Sequence, residues 1–271
     1  MGASGDRARG RGWSARFAGW TVSGIVLAVG PASAPSQDRP AARAVAPKPG
    51  DDATFRPTVM VRCGSSVGSG TVIASVEGET LVLTASHVVE GAGPVHVELN
   101  RFNLGLERAG DVRGFPRKVA ASVAARDPDS DLAILRVRGE LAMPYIAQLA
   151  RGEAPPAPGT AVMSIGFDGG GRPVGWPTRV RRVERLDMEK GGGDRPFLVT
   201  EDPPEPGRSG GGLFRADGAL VGVCIGRAKF DRGRRIGLYT APANVRELLR
   251  SDGALAAMVA RPEVRARPIA R

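Results

Sequence analysis

Lysine is scarce in this sequence, and so are histidine, cysteine and aromatic residues. Only four of its 38 basic residues are lysine (Lys48, Lys118, Lys190, Lys229), and the others are arginine. Two cysteines exclude a disulfide-rich miniprotein and a cysteine-only zinc site. Two histidines, His87 and His96, leave little for histidine-rich metal chemistry, so neither metal nor cofactor is expected. Aromatics at 5% offer few platforms for stacking nucleic-acid bases, and the core must rest on Val, Leu, Ile and Ala. No stretch reaches the roughly 18 consecutive apolar residues of a membrane-spanning helix. A hydrophobic share of 42% nevertheless excludes wholesale disorder.

The formal charge of +10 points first to nucleic acid or an anionic surface. Its distribution weakens that reading. Residues 1–50 carry seven basic and two acidic residues, and 250–271 carry five and two, so the 199 residues between hold only +10 − 5 − 3 = +2. No nucleic-acid partner is expected of so balanced a body. The preference for arginine has a bland reading as well, a codon-composition bias.

The N-terminus reads as an export signal. Arg7, Arg9, Arg11 and Arg16 precede an uncharged run from Phe17 to Gly30, and Ala32-Ser33-Ala34 fits a small-x-small cleavage site. The expectation is a signal peptide over 1–34 and an exported, periplasmic or secreted protein. The alternative is an uncleaved segment that tethers the chain to a membrane. Residues 35–56 are rich in Pro and Ala and read as a linker.

From residue 57 short apolar runs alternate with glycine, proline and charge. Val59-Met60-Val61, Thr71-Val72-Ile73, Leu81-Val82-Leu83, Val95-His96-Val97, Leu132 to Leu135, Ala161-Val162-Met163 and Leu198-Val199 read as antiparallel strands of a barrel or sandwich. One helical pattern appears late, Ala243 to Leu249 behind Pro242. From 251 to 271 the chain reads as a basic tail.

Three strings bear chemistry. Gly207-Arg208-Ser209-Gly210-Gly211-Gly212 exposes a serine among residues that tolerate unusual backbone angles. The string also satisfies the G-x-S-x-G elbow of α/β-hydrolases, but those enzymes place their histidine after the serine. Here both histidines precede it. His87 follows Leu81–Ser86 at a strand-to-turn boundary, where a scaffold can aim an imidazole. His96, between Val95 and Val97, reads as a structural strand residue. In Asp127-Pro128-Asp129-Ser130-Asp131 the last aspartate abuts an apolar strand, and a buried carboxylate there needs a partner such as a histidine N–H. Asp127 and Asp129 read as turn caps. His87, Asp131 and Ser209 thus occur in one of the known orders of a Ser-His-Asp triad.

With these strings in view the chain resembles a trypsin-like serine peptidase, of the HtrA/Deg branch. The resemblance rests on Val67–Ile73, Thr84–Val89, Asp129–Ala133, Gly207–Gly211, Gly218–Val223 and Tyr239–Val245, and spans about residues 57–250. It implies an all-β fold of two six-stranded antiparallel barrels with a short C-terminal helix. It implies a catalytic triad of His87, Asp131 and Ser209, with the backbone N–H groups of Gly207 and Ser209 as oxyanion hole. It implies a substrate site with Pro203 near its base and Val223, Cys224, Ile225 and Gly226 along one wall, for protein or peptide substrates. No aspartate occupies the position that selects Arg or Lys, so a small or medium apolar residue is expected at the cleavage position.

The sequence also departs from the family. Arg208 stands where an acidic or amide residue is common, and it cannot pair with a freshly cut N-terminus. The roughly 60 residues after Ser209 leave no room for the PDZ domain usual in that branch, so a protease domain alone is expected. A protease-fold binding protein of weak turnover is the competing reading. Cys63 and Cys224 are expected as two buried thiols rather than a disulfide.

Overall fold

The computed structural model describes residues 16–17, 20–21, 25–26, 45, 52–106, 113–139, 142–169, 172–188, 193–229 and 235–261. The first barrel consists of β1 (Thr58–Cys63), β2 (Ser66–Val76), β3 (Gly78–Thr84), β4 (Val95–Leu99), β5 (Arg117–Asp127) and β6 (Leu132–Gly139). Its strands run β1-β2-β3-β6-β5-β4 around the ring, all antiparallel, and β4 closes on β1. The second consists of β8 (Ala161–Gly166), β9 (Val174–Leu186), β10 (Arg195–Thr200), β11 (Gly212–Arg215), β12 (Ala219–Lys229) and β13 (Arg235–Thr240). Its ring is β8-β9-β10-β13-β12-β11, and β11 closes on β8. Between the barrels, β7 (Gln148–Leu149) lies parallel to the start of β12. Closure leaves neither ring with an open strand edge, which a free sheet would expose to wrong partners.

The apolar runs explain the pairing. Val82 and Leu83 in β3 face Leu135 and Ile134 in β6, and all four are fully buried. Each such side chain contributes about 1.5–3 kcal/mol relative to exposure. Bulges interrupt the ladders, and one of them matters below. On β12 the pairing jumps from Cys224↔Tyr239 to Gly226↔Leu238, so Ile225 is the extra, unpaired residue. A bulge re-aims the backbone groups of the residue it inserts.

Helix α1 (Pro242–Arg250) starts with proline at its first turn, where a missing N–H costs nothing. The side chain of Asn244 donates to the Pro196 carbonyl at 2.8 Å and ties α1 to β10. The residues beyond 250 depart from the expected tail. A second helix, α2 (Gly253–Ala260), follows at once, capped by Asp252 accepting from Ala254 N–H at 2.9 Å. Leu255 and Met258 anchor it to the main core. Residues 262–271 lie outside the described residues.

The folded body begins earlier than the expected linker end at 56. Phe55 joins the core and Asp52 pairs with Arg56 at 2.6 Å. Before these, Val45 exchanges two backbone hydrogen bonds with Gly175 of β9, and Ile25–Val26 pairs with β12. The expected signal peptide and its cleavage site otherwise lie outside the described residues. Among the described residues no helix is long and apolar enough to cross a membrane. Cys63 and Cys224 are both free and buried.

Candidate active site

His87 sits in a single 3-10 turn, Ser86–Val89, directly after β3. Asp131 sits just before β6, the neighbour of β3, in the left-handed backbone region at φ 49°. Aspartate tolerates that region better than most side chains. The two strand ends therefore lie side by side. The Ser86 N–H donates to the Asp131 carbonyl at 3.1 Å. The His87 backbone N–H donates to Asp131 Oδ1 at 2.9 Å, and its Nδ1 lies 2.7 Å from Oδ2. Both oxygens of the carboxylate are thus committed to one residue. With Nδ1–H held by Asp131, Nε2 is left as the basic nitrogen.

Both side chains are buried. Burial pushes the His87 imidazole toward neutrality, but the Asp131 charge, their hydrogen bond and the Glu90 charge outweigh it. The imidazole's pKa is therefore raised above its ordinary value. Next to it, Arg126 donates to Ser86 Oγ at 2.6 Å and pairs with Glu90, which braces the turn from β5.

Ser209 precedes β11 of the second barrel. Two backbone contacts fix it. Ser69 N–H donates to its carbonyl at 2.7 Å, and the next N–H, of Gly210, donates to the Cys224 carbonyl at 2.7 Å. Its hydroxyl donates to the carbonyl of the bulged Ile225 at 3.0 Å, not to His87. Gly207 and Gly210 adopt φ of 90° and 86°. At Gly210 a Cβ would lie 2.0 Å from the Ser69 carbonyl oxygen and 2.3 Å from Thr84 Oγ1, so no other residue fits. The serine segment is thereby pressed against β2 and the end of β3, two residues upstream of Ser86.

Ser69, within the run Val67–Ile73, is the cross-barrel clamp. It is fully buried. Its Oγ donates to the Gly207 carbonyl at 2.9 Å and accepts from Phe167 N–H at 2.9 Å. Its own carbonyl accepts from Thr84 Oγ1 at 2.7 Å. Serine–serine contacts of this kind carry no periodic signal in a sequence.

Arg208, next to the serine, turns its side chain into the protein. Its side chain is 0% exposed. A guanidinium taken out of water costs several kcal/mol unless its donors are matched. Here all five N–H groups are matched. Nε and Nη2 hold both oxygens of Asp168 at 2.6–2.9 Å, and Nη1 donates to the carbonyls of Ser164 and Val174 at 2.6 and 3.1 Å. Trp176 Nε1 donates to Asp168 Oδ2 at 2.6 Å and completes the set. Beside it, Tyr239 donates to Ser164 Oγ at 2.9 Å. Burial pushes the Cys224 thiol up to about 12, so it is no nucleophile at neutral pH.

Of the residues expected to bind substrate, Pro203 and Gly226 are part-exposed, whereas Val223, Cys224 and Ile225 have fully buried side chains. What the last three offer toward the serine is main chain, above all the Ile225 carbonyl. His96 lies on β4 opposite Arg62 and Ala120, away from the paired His87 and Asp131. Among the described residues no three His, Cys, Asp or Glu side chains gather as metal ligands would.

Two closed barrels, a histidine–aspartate pair on the first and a glycine-flanked serine on the second define the architecture of a chymotrypsin-like protease. The sequence matches the trypsin-like peptidase domain over residues 68–223, and the chain belongs to that family. Serine protease Rv3671c of Mycobacterium tuberculosis (strain ATCC 25618 / H37Rv) is 34% identical over 156 residues, 55% of this chain and 34% of that one. A protein of Marinomonas sp. (strain MWYL1) named "Probable periplasmic serine endoprotease DegP-like" is 31% identical over 163 residues, 59% of this chain and 29% of its own. The chain thus spans about a third of the length of these relatives. The crystal structure of the Rv3671c protease in its active form superposes with a TM-score of 0.59 at 25% identity, covering 76% of this chain and 87% of that one.

Proposed function

We infer that the chain is an HtrA-like serine endopeptidase, exported, and acting on unfolded or damaged proteins. The observation that carries this reading is the His87–Asp131 pair, two hydrogen bonds from one histidine to both oxygens of one buried carboxylate, in a chain of this family. Ser209 attacks the peptide carbonyl. His87 Nε2 takes the hydroxyl proton and later gives it to the leaving amine. Asp131 holds the imidazole in the required tautomer and balances its charge. The N–H groups of Gly207 and Ser209 receive the oxyanion, each donor being worth about 3 kcal/mol in such sites.

The hydroxyl's bond to Ile225 fits a resting site. A substrate strand that donates its own N–H to the Ile225 carbonyl displaces the hydroxyl, and one χ1 rotation returns it toward His87. Pro203 lies near the base of the specificity pocket, and the main chain of 224–226 lines one wall. The apolar run 17–30 with Ala32-Ser33-Ala34 supports export, as does the word periplasmic in the name of the Marinomonas relative. Arg208, one of the grounds for a weak-turnover binding protein, is accounted for by its pairing with Asp168.

The test is digestion of unfolded casein followed by sequencing of the new termini. The expected result is cleavage after small or medium apolar residues. Cleavage after Arg or Lys overturns the pocket assignment, and no cleavage overturns the reading.

A further inference from the structure

Arg208 lies between Gly207 and Ser209, the two residues whose N–H groups face the oxyanion in the reading above, on which this inference rests. Its backbone cannot reorient without moving a side chain held at five points. The segment 207–209 is gripped from both barrels. Ser69 holds the carbonyls of Gly207 and Ser209 from the first. Arg208, through Asp168, Ser164 and Val174, holds it from the second. The two grips meet at Gly166, where a Cβ would lie 2.9 Å from both Arg208 Cγ and Ser69 Oγ.

The anchor has an inner and an outer half. Arg208 is 0% exposed and Asp168 is 19% exposed. Asp168 stands two residues past β8, and Trp176 on β9 orients it through Oδ2. Val174, whose carbonyl accepts from Arg208, and Trp176 flank Gly175, the residue paired with Val45. The ion pair therefore joins the residue beside the nucleophile to β8 and β9 of the second barrel.

We propose that the Arg208–Asp168 ion pair is the device that sets the oxyanion hole, with Asp168 as its positioning residue. It supplies within the folded chain a pair of opposite charges beside the nucleophile, with the buried cation on the nucleophile's own segment. Competence then follows from folding alone and needs no new N-terminus made by cleavage.

The test uses the full chain with Asp168→Ala, which removes the carboxylate and leaves room for a small acid. The expected kcat falls about 10²-fold while KM stays within about threefold, the pattern of an interaction made in the transition state. Affinity for a peptide aldehyde, which needs the oxyanion hole, falls by a similar factor, and affinity for a cleaved product peptide does not. Added formate restores kcat about tenfold. A merely structural role lowers the melting temperature but moves neither the kcat-against-KM split nor the aldehyde-against-product contrast. Where Asp168→Ala fails to fold, Trp176→Phe carries the test, since it removes one donor to the carboxylate and leaves the charges paired. Its expected effect is a three- to tenfold loss of kcat and of aldehyde affinity. Unchanged kcat and aldehyde affinity in a folded variant overturn the proposal alone. A wild-type chain that neither cleaves peptides nor binds the aldehyde overturns the protease reading, and this proposal with it.

Discussion

Replacing Ser209 by alanine is expected to lower kcat by about 10⁵- to 10⁶-fold with little change in KM or fold. The size follows from losing the nucleophile outright. The preservation of the fold follows from what holds the segment. The grips on 207–210 come from the Ser69 N–H and Oγ, the Cys224 carbonyl and the Arg208 side chain, and none involves the Ser209 hydroxyl. The hydroxyl has one hydrogen bond, to Ile225, and such a bond contributes about 0.5–1.5 kcal/mol. The backbone N–H groups stay in place, so a residue of activity about 10³-fold above water is expected to survive. Steady-state kinetics on a fluorogenic peptide, beside a thermal melt, checks both parts. A Ser209→Ala protein with a tenth of wild-type kcat contradicts the assignment.

The second large effect belongs to Asp131→Asn, about 10⁴-fold in kcat for a triad of this kind. The structure adds a pH signature. In the wild type, burial pushes the His87 pKa down, but the Asp131 charge and hydrogen bond, with Glu90, raise it above 6.5. His87 must be neutral to accept the serine proton, so kcat/KM rises with pH through a midpoint above 6.5. Asparagine removes the two largest raising influences and leaves burial opposed by Glu90 alone. The midpoint of the residual activity therefore moves to lower pH. Stability runs the other way. A raised folded pKa stabilises the protein fully below the unfolded value of about 6.5, and that contribution disappears as pH rises through the folded value. A pH–rate profile of both proteins checks the sign, and a midpoint that rises in Asp131→Asn contradicts it.

Much of this arrangement is legible in the residues themselves. Leu81–Leu83 and Leu132–Leu135 are apolar runs too short for helices; small residues lead the first to His87, and Asp131 directly precedes the second. That is enough to place His87 and Asp131 at the ends of strands β3 and β6, which prove to be neighbours. Pro242 marks the start of α1 because a first-turn residue needs no N–H donor. Other features depend on tertiary contact and leave no local trace. Asp168, followed by three glycines, reads as a turn residue, and nothing nearby indicates a guanidinium 40 positions on. Strand β5 carries only Val, Ala and Ser between charged ends, with no large apolar residue, and it is set by its neighbours β4 and β6. Helix α2 buries only Leu255 and Met258, too few for a periodic pattern to register. The side chains of Val223, Cys224 and Ile225 look like a pocket wall in a string. In the folded chain each is buried in a different cluster of the core, and what Ile225 presents to the serine is its carbonyl.

The most direct test of the central claim is covalent. A fluorophosphonate probe reacts only with a serine that a neighbouring base has activated. Incubated with the chain and read by peptide mass spectrometry, it should leave one adduct, on Ser209, formed at least about 10³-fold more slowly in His87→Ala. An adduct on another residue, no adduct, or labelling of Ser209 that is indifferent to His87 would contradict the account.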